Sequence, residues 1–267
     1  MSAEIDAKRP ARSPRLADRI AASLRDRILC GEIGDGEPLP TQERLMEQFS
    51  VSQPPVREAL RILEADGLIT VRRGKNGGAI VHAPGEDVAA RAIASILQAR
   101  TVCLEDVGQA IRVLEPICCE LAARRRDRAR VVLPELRRRL DAVRAATGDA
   151  ERYRSRSARF HQELVQASGN QTLATLVGAL EALWAAHARA RAEGGEWARP
   201  VRDADRERYA RAMSELVEAI EAGDAALARE RCSAYLARAT RHTLVDDDRI
   251  PISAALVAEA GEDPARA

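Results

Sequence analysis

From Leu16 onward, apolar residues recur every three or four positions, the period of an amphipathic helix. Leu16, Ile20, Leu24 and Ile28 mark a first stripe that ends at Gly31, and Gly34, Asp35, Gly36 and Pro38 make the loop behind it. Thr41 is placed to cap a short second helix with Leu45, Met46 and Phe49 turned inward. A tight turn, Ser50-Val51-Ser52, leads to a third stripe of Val56, Leu60 and Leu63. Ser52 is the expected N-cap there. Pro54 and Pro55 suit the first turn, where backbone N–H groups have no intrahelical partner, and Gly67 closes the helix. Leu68-Ile69-Thr70-Val71-Arg72 and Ala79-Ile80-Val81 then read as two strands joined through Gly74-Lys75-Asn76-Gly77-Gly78.

Beyond Glu86 the helical period takes over. Successive segments are predicted near 87–99, 104–126, 129–147, 149–168, 171–191, 203–222 and 224–244, with Gly169-Asn170 and Gly223-Asp224 as breaks. The pattern therefore predicts a mainly α protein. Its N-terminal winged helix-turn-helix has three helices and a β-hairpin wing, and an all-α bundle of six or seven helices follows. The expected division is a flexible tail over 1–14, the winged unit over 15–83, and a linker with the first helix of the second domain over 84–100. The helical effector and dimerisation domain covers 101–245, and a loose tail covers 246–267.

Composition narrows the class. Hydrophobic residues are 46% and charged residues 31%, a globular balance, and with aromatics at only 3% the core must be Ala, Leu, Val and Ile. The net charge of +1 gives no hint of a nucleic-acid partner, and residues 1–84 hold 13 Lys/Arg against 12 Asp/Glu. DNA affinity must come from where the basic residues sit. None of the five cysteines forms a CxxC pair, and no apolar run approaches a membrane span, so a cytoplasmic protein without membrane association is expected.

A helix-turn-helix ahead of a basic hairpin would set its third helix in the major groove. Arg57 lies one turn into that helix, opposite Leu60 and Leu63, where it can fork onto a guanine or a phosphate. The expected DNA contacts are Thr41, Arg44, Ser52, Gln53, Pro54 and Arg57 from the helices, with Arg72, Arg73, Gly74 and Lys75 from the wing.

The text Leu39-Pro40-Thr41, Val51-Ser52, Pro55-Val56-Arg57-Glu58-Ala59-Leu60-Arg61, Leu63-Glu64-Ala65-Asp66-Gly67-Leu68-Ile69 and Arg72-Arg73-Gly74 resembles the DNA-binding domain of the GntR family of bacterial regulators. The resemblance implies that Arg57, Arg73 and Gly74 contact DNA. Two positions depart from the family pattern: Glu43 stands where an arginine is common, and Gln53 where Val-Ser-Arg is usual. Gln pairs with adenine where Arg prefers guanine, so different operator bases are expected opposite Gln53.

Arg112 with Leu114-Glu115, Phe160-His161, Ala167-Ser168-Gly169-Asn170 and Ala219-Ile220-Glu221-Ala222-Gly223-Asp224 resemble the FadR-like, or FCD, effector domain. That likeness implies a dimerising bundle around a small-molecule cavity, in which many relatives hold a divalent metal. The corresponding positions here are Ser157, His161, Met213 and Tyr235, of which only His161 is a good ligand. The expectation is a dismantled metal site and no cofactor. Arg112, Ser157, His161, Trp184, Met213 and Tyr235 are then the candidate effector contacts, with Arg112 holding an anionic head group or pairing with Glu115.

The functional expectation is a homodimeric repressor that binds double-stranded operator DNA and is modulated by a small apolar or anionic metabolite such as a fatty acid or acyl thioester. Its alternatives are a metal-dependent sensor of organic acids and a regulator without a ligand. An enzyme built on His161 and Arg112 lacks any nucleophile–base pair, phosphate loop or metal motif.

Overall fold

The computed structural model describes residues 16–72, 78–193, 201–243 and 250–261. The chain divides between Pro84 and Gly85 into two units. No helix among the described residues is long and apolar enough to cross a membrane.

The first unit has helices α1 (Leu16–Leu29), α2 (Gln42–Phe49) and α3 (Gln53–Ala65) with strands β1 (Ile69–Arg72) and β2 (Gly78–Val81). The α1 stripe buries Ile20, Leu24 and Ile28 against Leu45, Val56, Leu60 and Leu63. Each such aliphatic side chain removed from water stabilises the fold by roughly 1.5–3 kcal/mol. The strands pair antiparallel with Ile69 opposite Val81 and Arg72 opposite Gly78. The segment expected to be plain loop has a further role. It runs along the free edge of β2, where Leu39 N–H donates to Ala79 O at 2.8 Å and Val81 N–H donates to Glu37 O at 2.9 Å. This backbone pairing covers an otherwise open sheet edge.

The second unit is helical throughout its described residues: α4 (Glu86–Ala99), α5 (Leu104–Arg124), α6 (Arg128–Val131), α7 (Leu133–Ala145), α8 (Ala150–Gln166), α9 (Gln171–Glu193), α10 (Asp203–Ala222), α11 (Ala225–Thr243) and α12 (Ala254–Gly261). The helix predicted over 129–147 is two helices, because Pro134 cannot donate into a continuous ladder and restarts the turn at Leu133. Gly223 closes α10 with φ at 74°, a left-handed conformation open to glycine at little cost. α5 and α11 pack side by side, and α4 lies on α9 with Ala90 and Ala94 fully buried, so residues 86–99 are part of the helical core.

The loose tail expected from 246 is corrected over residues 250–258. Leu104 N–H donates to Ile250 O at 2.8 Å, and Pro251 bridges to Cys103. Ile252 and Val257 are buried, and α12 rests on α4 and α9. Ala254 N–H caps onto Gln98 Oε1 at 2.8 Å. Pro251 and the short helix hid this attachment, because a two-residue apolar contact leaves no periodic signal.

His187 joins that segment to α9. Ser253 N–H can only donate, so His187 Nε2 accepts it at 2.9 Å and Nδ1–H donates to Leu183 O at 2.8 Å. Burial holds this imidazole below its usual value of 6.5. The folded state therefore favours the neutral ring, and its stabilising effect is lost as pH falls from about 6.5 through the lower folded value. Amide protection over 250–258, taken as the exchange rate relative to the intrinsic chemical rate, is expected to fall as pH is lowered from about 7.5 to about 5.5; protection that does not change with pH would contradict this tether.

Candidate functional site: a reading face and a buried acidic centre

In the first unit, the expected DNA contacts on α2, on α3 and at the turn between them are exposed. Thr41, Arg44, Ser52, Gln53, Pro54 and Arg57 are all exposed, whereas Leu45, Val56, Ala59 and Leu63 on the opposite sides of the same helices are buried. Ser50 makes the sharp reversal in the left-handed region at φ 52°. Thr41 caps α2 by accepting from Arg44 N–H at 3.4 Å. The same hydroxyl and a backbone N–H hold Glu43 below the usual carboxylate range, the backbone contribution being the larger. Glu43 is thus a settled anion on the first turn of α2, unsuited to a phosphate.

Ser52 corrects an expectation. It occupies the N-cap position of α3, with φ −76° and ψ 170°, yet its hydroxyl makes no capping bond. A capping side chain bonds the second or third N–H of the helix. Those residues are Pro54 and Pro55, which have none. The Ser52 hydroxyl is therefore left at the exposed end of α3, beside the positive end of the helix. Gln53 Nε2 donates to Gln42 Oε1 at 3.4 Å across the turn.

Two carboxylates missed in the sequence set the reader's frame. Glu64 Oε1 accepts Val71 N–H at 3.0 Å, tying α3 to the first wing strand, and Asp66 pairs with Arg25 of α1. Arg72 closes β1 opposite Gly78; Arg73, Gly74 and Lys75 lie outside the described residues.

In the helical unit, the centre is His161 on α8. Its Nδ1 lies 2.6 Å from Glu115 Oε1 of α5, and its Nε2 lies 2.9 Å from the Tyr235 hydroxyl of α11. The His161 and Tyr235 rings stack at 5.3 Å, and Tyr209 meets Tyr235 edge-on at 6.0 Å. Ser157, one turn before His161, faces the Tyr235 hydroxyl, and Met213 is fully buried in the surrounding core. Burial pushes the Tyr235 phenol well up, so it remains protonated. Three of the four positions that hold metal in relatives are thus a hydroxyl, a thioether and a protonated phenol. With both nitrogens of the remaining imidazole already engaged, this set does not fit a metal.

Carboxyl groups surround the imidazole instead. Glu115 is 1% exposed, and its Oε2 and both oxygens of Glu181 on α9 are buried with no donor from another residue among those described, so the two carboxyl groups are left to bond each other through a proton. Burial, and then the neighbouring charge of Glu115, raises the Glu181 carboxyl well above its usual range. Glu86 stands at the start of α4, where Gln162 Nε2 donates to it at 3.1 Å and Gln166 Nε2 at 2.5 Å. Its carboxylate lies directly against Gly178 of α9, where a Cβ would fall 2.5 Å from the Glu86 carboxyl carbon.

Arg112 is half-buried on α5. Trp184 is packed onto Gly108, where a Cβ would come within 2.7 Å of the indole ring, so the indole helps to fill the core. The sequence reading named Glu115 only as a neighbour of Arg112, and missed Glu181 and Glu86. A signal for two of them was present: Glu115 falls four residues after Ile111 on the buried stripe of α5, and Glu181 falls four after Val177 on α9.

Comparison with known proteins agrees with this division. Residues 16–77 match the family described as bacterial regulatory proteins, gntR family, and residues 106–238 match the FCD domain. The HTH-type transcriptional repressor NanR of Enterobacter sp. (strain 638) is 38% identical over 80 residues, 30% of this chain and 30% of that protein. NanR of Cronobacter sakazakii (strain ATCC BAA-894) is 36% identical over 80 residues with the same coverage. The match spans under a third of the length of these relatives. Streptococcus agalactiae GntR shares the fold at a TM-score of 0.62 and 22% identity, over 84% of this chain and 99% of that one. These relatives are regulators rather than enzymes.

The two caps separate cleanly by mutation. Thr41→Ala is expected to destabilise the first unit by about 0.5–2 kcal/mol, the usual cost of a lost N-cap. Ser52→Ala is expected to stay within about 0.5 kcal/mol, as for a surface substitution. Equal losses in thermal unfolding would contradict the assignment.

Proposed function

Since the chain belongs to the GntR family and carries an FCD domain, we propose that it is a transcriptional repressor whose grip on operator DNA answers to a small ligand in the helical unit. The observation that carries this reading is the exposure of Thr41, Arg44, Ser52, Gln53, Pro54 and Arg57 over a core closed by Leu45, Val56 and Leu63. Arg57 is exposed on α3, in reach of a base edge or a phosphate, and it forms no ion pair among the described residues. The Ser52 hydroxyl and the start of α3 suit a backbone phosphate. A homodimer belongs to the proposal, because one reader covers one half-site and two must be held at a fixed spacing.

The effector reading shifts from the one the sequence favoured. A fatty acid or acyl thioester needs a cation for its head group and an apolar cavity for its chain. Glu86, Glu115 and Glu181 around His161 oppose an anion at this centre and favour a cation or a neutral group. We therefore place the anionic amphiphile behind a ligand that brings positive charge. The ligand acts by binding one arrangement of the readers more tightly than the other.

Selection of bound sites from random DNA, followed by gel-shift titration, tests the regulator reading. The expected outcome is a pseudo-palindrome with bases opposite Gln53 that differ from the family's common half-site. Arg57→Ala is expected to cost about 1–3 kcal/mol of specific binding. A chain that enriches no sequence, or an Arg57→Ala variant with unchanged operator affinity, would contradict the proposal.

A further inference from the structure

A glutamine side chain has several rotatable bonds, and freezing them against a base costs free energy comparable with what one hydrogen bond contributes. A base-reading amide therefore discriminates best when something already holds it in place. Gln53, the first residue of α3, is held twice. Its backbone precedes Pro54, whose ring narrows the conformations open to the residue before it. Its side chain is met across the turn by Gln42, the first residue of α2, whose Oε1 accepts Gln53 Nε2–H at 3.4 Å. Gln42 is half-buried and Gln53 is exposed, so the inner amide supports the outer one.

We infer that Gln42 is a positioning residue that sets the base preference of Gln53 without touching DNA. A side-chain amide carries two N–H donors and a carbonyl oxygen that accepts. The bond to Gln42 uses one N–H of Gln53 and leaves the other beside a free Oε1. That remaining donor and acceptor, side by side in the amide plane, match adenine in the major groove, where N7 accepts and N6–H donates. Guanine offers two acceptors there, N7 and O6, and would call on both N–H groups of the amide. Engaging one of them with Gln42 therefore favours adenine over guanine. Arg57 lies four residues further along α3, exposed on the same side of the helix, which leaves an adjoining guanine or phosphate to its guanidinium.

A bond of 3.4 Å holds the amide loosely, so the expected effect is modest. It amounts to about two- to tenfold in affinity, the range for one immobilised side chain. It also falls on a single base pair of each half-site. A residue that merely held α2 to α3 would act on every base pair alike and on stability, a task met here by buried Leu45 and Val56.

The role assigned to Gln42 rests on the operator reading proposed above and deepens it. The test uses the full chain and the sites it selects from random DNA, with affinities measured by gel shift. The base pair read by Gln53 is the one whose preference is lost in Gln53→Ala. At that pair, Gln42→Ala is expected to lower the affinity ratio of A·T over G·C about two- to tenfold. Preferences at the other positions and the Tm are expected to stay as in the parent. Added to Gln53→Ala, the Gln42→Ala change is expected to have no further effect, because its only route to the base has gone. Gln42→Glu keeps an acceptor for Gln53 Nε2–H, so it is expected to preserve the ratio while its negative charge lowers affinity for all sites alike.

An unchanged ratio in Gln42→Ala, a loss spread evenly over the half-site, or a Gln42→Ala effect that persists beside Gln53→Ala would overturn the inference. So would a preference for G·C at the Gln53 position, or a Gln53→Ala variant that keeps every preference of the parent. In each of these cases the chain still selects an operator, and the regulator reading stands. A parent chain that enriches no sequence overturns that reading and the role of Gln42 with it.

Discussion

A carboxylate carried on the apolar stripe of a helix constrains everything packed over it. Glu115 sits in α5 at a position where the pattern calls for Leu or Ile, and it is 1% exposed. The surrounding helices answer with polar groups that would otherwise be costly to bury. His161 comes from α8 and Tyr235 from α11, and the two rings stack so that each imidazole nitrogen has a neighbour. A second acid, Glu181, enters from α9 and meets Glu115. Four helices of the bundle thus meet around one polar centre, in a core otherwise built of Ala, Leu and Val. Removing one member of such a network leaves the others orphaned, which costs more than the bond itself contributes.

The reading unit works on a simpler rule. A short apolar core fixes three helices and leaves polar residues of α2 and α3 exposed around it. The pair Pro54-Pro55 removes the two N–H groups that would have occupied Ser52, so its hydroxyl is freed by its own neighbours. Glu64 and Asp66 use their carboxylates within the unit, on Val71 N–H and on Arg25, and these bonds keep α3 aligned with the wing strand and with α1. Charge inside the unit is thus used largely for architecture. That explains why a balanced count of acids and bases is compatible with a DNA-facing surface.

Much of this was legible in the chain. Three helices and a hairpin followed from period, caps and glycine breaks, because each boundary is set by local chemistry at Thr41, Gly67 or Gly223. The break at Leu133-Pro134 was missed even though Pro134 marked it, since the apolar stripe continues across. The docking of 250–258 was missed for a different reason: it depends on Leu104, Gln98 and His187, all distant in sequence. The polar centre of the helical unit was half legible. Phe160-His161 pointed to the histidine that Glu115 and Tyr235 engage, and Ser157 gathers near it. The acids were the missed part, because Glu115 and Glu181 become partners only when α5 and α9 pack against α8.

Glu115 holds α8 and α11 to α5 through His161, and a double-mutant cycle makes that coupling measurable. Thermal unfolding of the full chain should be compared for the parent, Glu115→Leu, His161→Leu and the double variant. The double variant is expected to lose less stability than the sum of the two single variants, because each single change leaves the other polar group buried without its partner. Losses that simply add would contradict it.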